Sequence, residues 1–190
     1  TLHHAPWMSL TSPELNIQDE KWNNSDPIDF DKIPPVVAHT IQQAHQIMRP
    51  TQSCGISLHI STHDFFAENG EKLGLGSSAA VTVSLYQALR NLWSASLSAR
   101  KLDIEHLSVL LDIHKKAQNN RGSGIDIAAS LHGGVFEYQY TPTPAILPVT
   151  GLNLNEHILV VFTHVSCKTS DMIPRIIHHP DFQSIYQEMD

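Results

Sequence analysis

The chain has 190 residues, of which 41% are hydrophobic and 16% charged, and a net charge of −7. That length fits one domain, or one domain and part of another, of ordinary globular composition. No apolar run reaches the ~18–20 residues of a membrane helix, and the acidic balance argues against a nucleic-acid binder, which is usually basic.

In chain order, residues 1–33 are polar, rich in Asn and Asp, and read as irregular. Pro34-Pro35 then opens a helix, because proline is tolerated in a first turn. Val36, Val37, Ile41, Ala44 and Ile47-Met48 give it an apolar stripe at helical spacing, and it ends before Pro50. Between Cys54 and Phe66, Ile56, Leu58 and Ile60 alternate with Ser57, His59 and Ser61, the pattern of a half-buried strand. After the turn Glu68-Asn69-Gly70 and a glycine-serine loop, a helix runs from about Ser77 to Ser94. Asp103 can cap a helix reaching about Gln118, with a stripe of Ile104, Leu107, Leu110-Leu111 and Ile113-His114. The polar loop 119–124 leads into Ile125–Ser130, and Gly133-Gly134 separates that segment from a strand starting at Val135. Residues 141–151 read as a proline-containing turn, Ile158–Phe162 as a further strand, and the stretch after Asp171 as a last helix. The mixed order predicts an α+β fold with helices on one face of a sheet.

Two cysteines, Cys54 and Cys167, make no disulfide framework, so a reducing, cytoplasmic compartment is the simplest reading. The start, Thr1-Leu2-His3-His4-Ala5-Pro6, has no basic and apolar regions of a secretory signal and no initiator Met, and reads as processed or cut. The thirteen histidines are scattered, without His-Glu-x-x-His or Cys-x-x-Cys spacing, and read as surface or core fillers rather than a zinc site. Lys72, Lys115, Lys116, Arg121, Lys168 and Arg175 fall in or beside Gly- or Ser-containing segments. Cations gathered near such loops suit a phosphorylated ligand; chance placement on helix surfaces explains Lys115 and Lys116 equally well.

Two strings carry chemistry. The first is Lys72-Leu73-Gly74-Leu75-Gly76-Ser77-Ser78-Ala79-Ala80. Gly74 and Gly76 allow positive φ and close approach of a ligand to the backbone. Ser77 and Ser78 can cap the helix that the alanines begin. The first amides of that helix have no internal partner, and its dipole adds partial positive charge, so the loop suits phosphate. A serine hydroxyl there can also ligate Mg²⁺, which prefers hard oxygen donors. As residues alone, the string is equally a plain turn before a well-capped helix. It matches neither the Walker A loop nor Gly-x-Gly-x-x-Gly.

The second string is Gly122-Ser123-Gly124-Ile125-Asp126-Ile127-Ala128-Ala129-Ser130. The two glycines set a tight entry, and the helix dipole favours a carboxylate at Asp126. That carboxylate can orient a substrate hydroxyl or take its proton; it can also simply cap the helix.

The first string resembles the second motif of the GHMP kinases, and the second resembles their catalytic Gly-Ser-Gly-x-Asp segment. The two stand in the family's order, about fifty residues apart. Lys72 directly ahead of the loop, the His114-Lys115-Lys116-Ala117-Gln118 stretch and Ser166-Cys167-Lys168-Thr169-Ser170-Asp171 look most like the phosphomevalonate kinase branch. The resemblance covers roughly residues 54–175. It implies an α+β N-terminal domain like the second domain of ribosomal protein S5, with a left-handed β-α-β unit, over 1–165, and the start of a C-terminal domain over 166–190.

The resemblance further implies ATP and Mg²⁺ as cofactors and a small phosphorylated substrate as partner, with no nucleic acid or membrane and room for a homodimer. Gly74, Leu75, Gly76, Ser77, Ser78 and Ala79 would bind the nucleotide phosphates. Ser78, with Ser77 close behind, would ligate Mg²⁺. Asp126 and Lys72 would be catalytic, and Ser123, Gly124, Lys168 and Ser170 would contact substrate. The family's Pro-Gly-Lys and Gly-x-Gly-Gly loops are not in this sequence, which implies a partial chain. Mevalonate, homoserine or a sugar as acceptor, and a non-catalytic nucleotide-binding fragment, are the alternatives.

Overall fold

The structure is a computed structural model that describes residues 7–23, 28–50, 55–93, 102–140, 142–152, 158–159 and 161–162. In chain order its elements are β1 (Trp7–Ser12), β2 (Ile17–Asn23), α1 (Pro35–Met48), β3 (Ile56–His59), α2 (Ser77–Trp93), α3 (Leu107–Ala117), α4 (Ile125–His132), β4 (Phe136–Gln139) and β5 (Ala145–Pro148). This is the expected α+β class.

A three-stranded sheet has the order β2-β1-β3. β1 and β2 form an antiparallel hairpin around a single 3-10 turn, Pro13–Leu15, with Asn16 in the left-handed region. β1 and β3 are parallel, pairing Met8 with Ile56 and Leu10 with Leu58, and α1 lies in the connection between the two strands. The strand period of two then sends Met8, Leu10 and Ile56 into the core. Ser9 points the other way, and its hydroxyl donates to Ser57 Oγ at 3.2 Å. β4 and β5 form a second, two-stranded antiparallel sheet.

The region read as irregular, 1–33, therefore holds the β1–β2 hairpin. Its strands are hard to see because β2 is an edge: Gln18, Asp19, Lys21 and Asn23 are exposed, and only Ile17 is buried. β5 likewise replaces part of the expected turn at 141–151; Pro148 closes the strand, where its missing N–H is tolerated. β3 ends at His59 instead of reaching Phe66, because a 3-10 turn over His63–Phe65 follows. The described residues 158–159 and 161–162 carry no strand, and Ile158, Leu159 and Val161 are exposed. The expected helix after Asp171 and the proposed domain start at 166 lie outside the described residues.

The four helices pack on one another, with α2 touching each of the other three. α1 buries Val37, Ala38, Ile41 and Ala44. It stops at Arg49 in the left-handed region, one residue before Pro50. Asp103 caps as expected, accepting the Glu105 N–H in a capping box with His106, and a 3-10 turn (Ile104–His106) precedes α3. α3 turns Leu107, Leu110, Leu111, Ile113 and His114 inward. The four apolar side chains among these join Met8, Leu10, Ile56, Leu89 and Ile127 in one hydrophobic core.

Candidate active site

The site is built where the N-terminal ends of α2 and α4 meet the inward face of α3. The loop into α2 grows from a short hairpin. Ala67 N–H donates to Glu71 O at 2.8 Å, Leu73 N–H to Phe65 O at 2.9 Å, and Lys72 pairs with Phe66 in a single antiparallel bridge. Gly70 turns this hairpin with φ +81°. Beyond Leu73 the chain opens: Leu75 is 63% exposed, and Lys72 is exposed at the loop mouth.

Gly74 and Gly76 both adopt positive φ, +75° and +73°. The Gly76 carbonyl accepts from Ala79 N–H at 3.0 Å and Ala80 N–H at 3.1 Å, closing the first turn of α2. The amides of Ser77 and Ser78 thus precede the first intrahelical bonds, the place where a helix meets an anion. Helix closure falls to the Gly76 backbone, and the Ser78 hydroxyl turns instead to His114, with Oγ 3.2 Å from Nε2. Ser77 is buried, and Ala79 is fully buried in the core.

The Asp126 loop is shaped by Gly124, which has φ +79° and stands as the N-cap of α4. A Cβ at Gly124 would lie 2.1 Å from Leu111 Cδ2, so the backbone presses directly on α3. Tyr138 of β4 steadies the same loop by donating to Ser123 O at 3.0 Å. Burial, then the charges of Tyr140 and Asp126, raise the Tyr138 phenol above its ordinary pKa, which keeps it a donor. Asp126 is the second residue of α4; its Oδ1 accepts the Ile127 N–H at 3.0 Å.

The two strings meet. A Cβ at Gly76 would lie 3.6 Å from Asp126 Cβ, and Asp126 Oδ2 stands 3.8 Å from His114 Nε2. One nitrogen of a buried imidazole therefore has both Ser78 and Asp126 near it. Gln118 Nε2 approaches the same ring nitrogen at 3.1 Å. Burial pushes the His114 pKa below its ordinary value, and the Asp126 charge opposes this only in part. Burial thus favours the neutral form of His114, a ring with hydrogen-bonding work to do. By sequence alone His114 falls on the apolar stripe of α3. Its position among Leu107, Leu110 and Leu111 was the available signal, because a polar ring buried there needs polar partners.

The remaining candidates are distributed as follows. Gly74, Leu75, Gly76 and Ser78 line the loop, with Lys72 at its root and Ser123 and Gly124 beside Asp126. Lys168 and Ser170 lie outside the described residues. Lys116 pairs with Asp112 at 2.7 Å, and the Lys115 ammonium contacts the Tyr140 hydroxyl and lies 4.6 Å over its ring centroid, so both serve the surface. An apolar cleft of about 280 Å³ adjoins the first turns of α2, lined by Leu58, Ile60, Phe65, Ala80, Val81 and Ser84.

Among the described residues there is no group of three or more His, Cys, Asp or Glu able to hold a metal, and no helix long and apolar enough to cross a membrane. Ser78 and Asp126 offer hard oxygen donors near His114 Nε2. So sparse a set fits Mg²⁺, which usually keeps waters and phosphate oxygens in its shell.

Comparison with known proteins accords with this geometry. The phosphomevalonate kinase of Saccharolobus solfataricus is 30% identical over 146 residues, 72% of this chain and 42% of that protein. The phosphomevalonate kinase of Streptomyces sp. (strain CL190) is 31% identical over 117 residues, 60% of this chain and 30% of that protein. The chain thus spans less than half the length of these relatives. No solved structure matches it. The family description "GHMP kinases N terminal domain" matches residues 37–134, which contain both glycine-bearing strings, α2, α3 and α4. The chain belongs to the GHMP kinase family.

Proposed function

We propose that this chain provides the nucleotide-binding half of a kinase that transfers the γ-phosphoryl group of ATP to the phosphate of a small isoprenoid precursor, phosphomevalonate, giving diphosphomevalonate. The observation that carries the reading is the apposition of the Gly74–Ser78 loop and Asp126, with Gly76 packed against the Asp126 side chain. A phosphate-holding helix start and an acceptor-orienting carboxylate have to be neighbours for in-line transfer. The names of the two similar proteins support the choice of acceptor.

In this reading the Ser77 and Ser78 amides hold the β- and γ-phosphates. Lys72 neutralises charge that develops on the transferred group. The apolar cleft beside α2 receives the nucleotide base. Asp126 orients the acceptor; because a phosphate oxygen is already anionic, no strong base is needed. That oxygen attacks the γ-phosphorus as the bond to the β-phosphate oxygen breaks, and ADP leaves. Ser78 would hold Mg²⁺, which when bound offsets phosphate charge. Lys168 and Ser170 are assigned to the acceptor phosphate, and residues 166–190 to the start of a second domain. The partners are ATP and a small anion, without nucleic acid or membrane, in the cytoplasm; a homodimer is compatible with this.

Calorimetry of the 190-residue chain with Mg·ATP, followed by ADP release with phosphomevalonate, mevalonate, homoserine and galactose, tests the proposal. Binding is expected, with turnover on phosphomevalonate. Asp126→Asn should keep binding and lose roughly 10²–10⁴-fold in turnover. Turnover on mevalonate but not phosphomevalonate would overturn the acceptor. Tight binding with no turnover on any acceptor would favour a nucleotide-binding fragment, a second reading suggested by the 42% coverage of the Saccharolobus solfataricus protein.

A further inference from the structure

His114 is 3% exposed, and its Nε2 is the meeting point of three polar groups from three elements: the Ser78 hydroxyl of α2 at 3.2 Å, the Gln118 amide nitrogen just past α3 at 3.1 Å, and Asp126 Oδ2 of α4 at 3.8 Å. In the tautomer in which Nε2 accepts from the Gln118 amide nitrogen, the ring proton sits on Nδ1. The Ser78 hydroxyl then has one role left toward this ring, that of donor. Asp126 Oδ2 is beyond hydrogen-bond reach of an unprotonated nitrogen.

We propose that His114 is a positioning residue that takes the Ser78 hydroxyl proton in a hydrogen bond and thereby turns the lone pairs of Ser78 Oγ away from the core, toward a cation at the loop mouth. A free serine hydroxyl rotates among three staggered positions, and some of these aim its hydrogen at the cation. A buried acceptor removes those positions. The geometry is that of a ligand oriented by the partner behind it. Ser78 is also held from the backbone side, because its carbonyl accepts the Thr82 hydroxyl at 2.9 Å. The inference rests on the nucleotide reading above, and concerns how Ser78 is prepared for the cation that accompanies the phosphates.

The test is the Mg²⁺ dependence of ATP binding, measured by calorimetry on the 190-residue chain at a series of Mg²⁺ concentrations. His114→Phe, which fills the space without an acceptor, should raise the Mg²⁺ needed for half-maximal ATP binding about tenfold. Ser78→Ala should raise it at least as far. In the Ser78→Ala background, His114→Phe should add nothing, because the hydroxyl through which it acts is gone; a merely structural effect would persist there. His114→Gln, which can present an amide oxygen, should recover part of the loss.

Nitrogen-detected NMR of the histidine rings in the unsubstituted chain gives an independent readout if His114→Phe does not fold. One ring should show an unprotonated Nε2 whose resonance moves in Ser78→Ala. An Nε2-protonated His114, no ring resonance responding to Ser78→Ala, or equal effects of His114→Phe with and without Ser78 would overturn the inference while leaving the nucleotide reading intact. Failure of the unsubstituted chain to bind Mg·ATP would instead overturn both.

Discussion

Gly76 and Gly124 share a left-handed backbone, yet an added methyl would meet different surroundings. At Gly76 the nearest atom outside its own segment is Asp126 Cβ at an ordinary 3.6 Å, so Gly76→Ala bears only the conformational strain, about 1–2 kcal/mol. At Gly124 the methyl would add to that strain a collision with buried Leu111, and Gly124→Ala should lose more, about 2–4 kcal/mol. Urea unfolding of the two variants checks the order; a Gly124→Ala loss no greater than that of Gly76→Ala would contradict the close contact with α3. His114 supplies a pH prediction. Burial holds its folded pKa below the ordinary 6.5, so at pH values below about that figure the unfolded chain binds a proton that the folded chain refuses. Stability should therefore fall as pH drops from about 6.5 toward the lower folded value, and be complete above about 6.5. Asp126 is the charge that faces the ring, and it lessens the effect. His39, lowered first by burial and then by Lys116, adds a slope of the same sign. Urea midpoints at about pH 7.5 and 5.5 should differ less in His114→Gln than in the unsubstituted chain.

At the scale of elements, what could be read in the sequence depended on how each segment is buried. α1, α2 and α3 each have one apolar face, and their limits fell within a few residues of the expected ones. The short strands were less visible. β2 is an edge with polar residues on both faces, and β5 has only four residues, ending in proline. A strand such as β1 depends on partners remote in sequence: Leu10 gains its burial from β3 and the helices, which local alternation does not reveal. Leu10 is fully buried, and Leu10→Ala should lose about 2–5 kcal/mol in urea unfolding. A loss near zero would mean that the β1–β3 pairing contributes little to the core.

At the scale of the whole molecule, the two glycine-bearing strings were legible because each carries its own backbone chemistry. Their meeting was not, since it depends on how α2, α3 and α4 cross. Neither was the part played by His114: a histidine on an apolar stripe shows that it needs polar neighbours, but the fold decides that these are Ser78, Gln118 and Asp126. The hairpin beneath the Gly74–Ser78 loop has one more consequence. Residues 65–73 are tied by backbone bonds on one side, and α2 is closed from Gly76 onward on the other. Slack in the chain is thereby confined to the few positions around Gly74 and Leu75. Freezing a residue's backbone loses roughly 1–2 kcal/mol of entropy, so so short a span has little disorder to surrender when an anion arrives. In the proposed role, much of the ordering that a grip on polyphosphate requires would be accomplished as the protein folds, before any nucleotide is met.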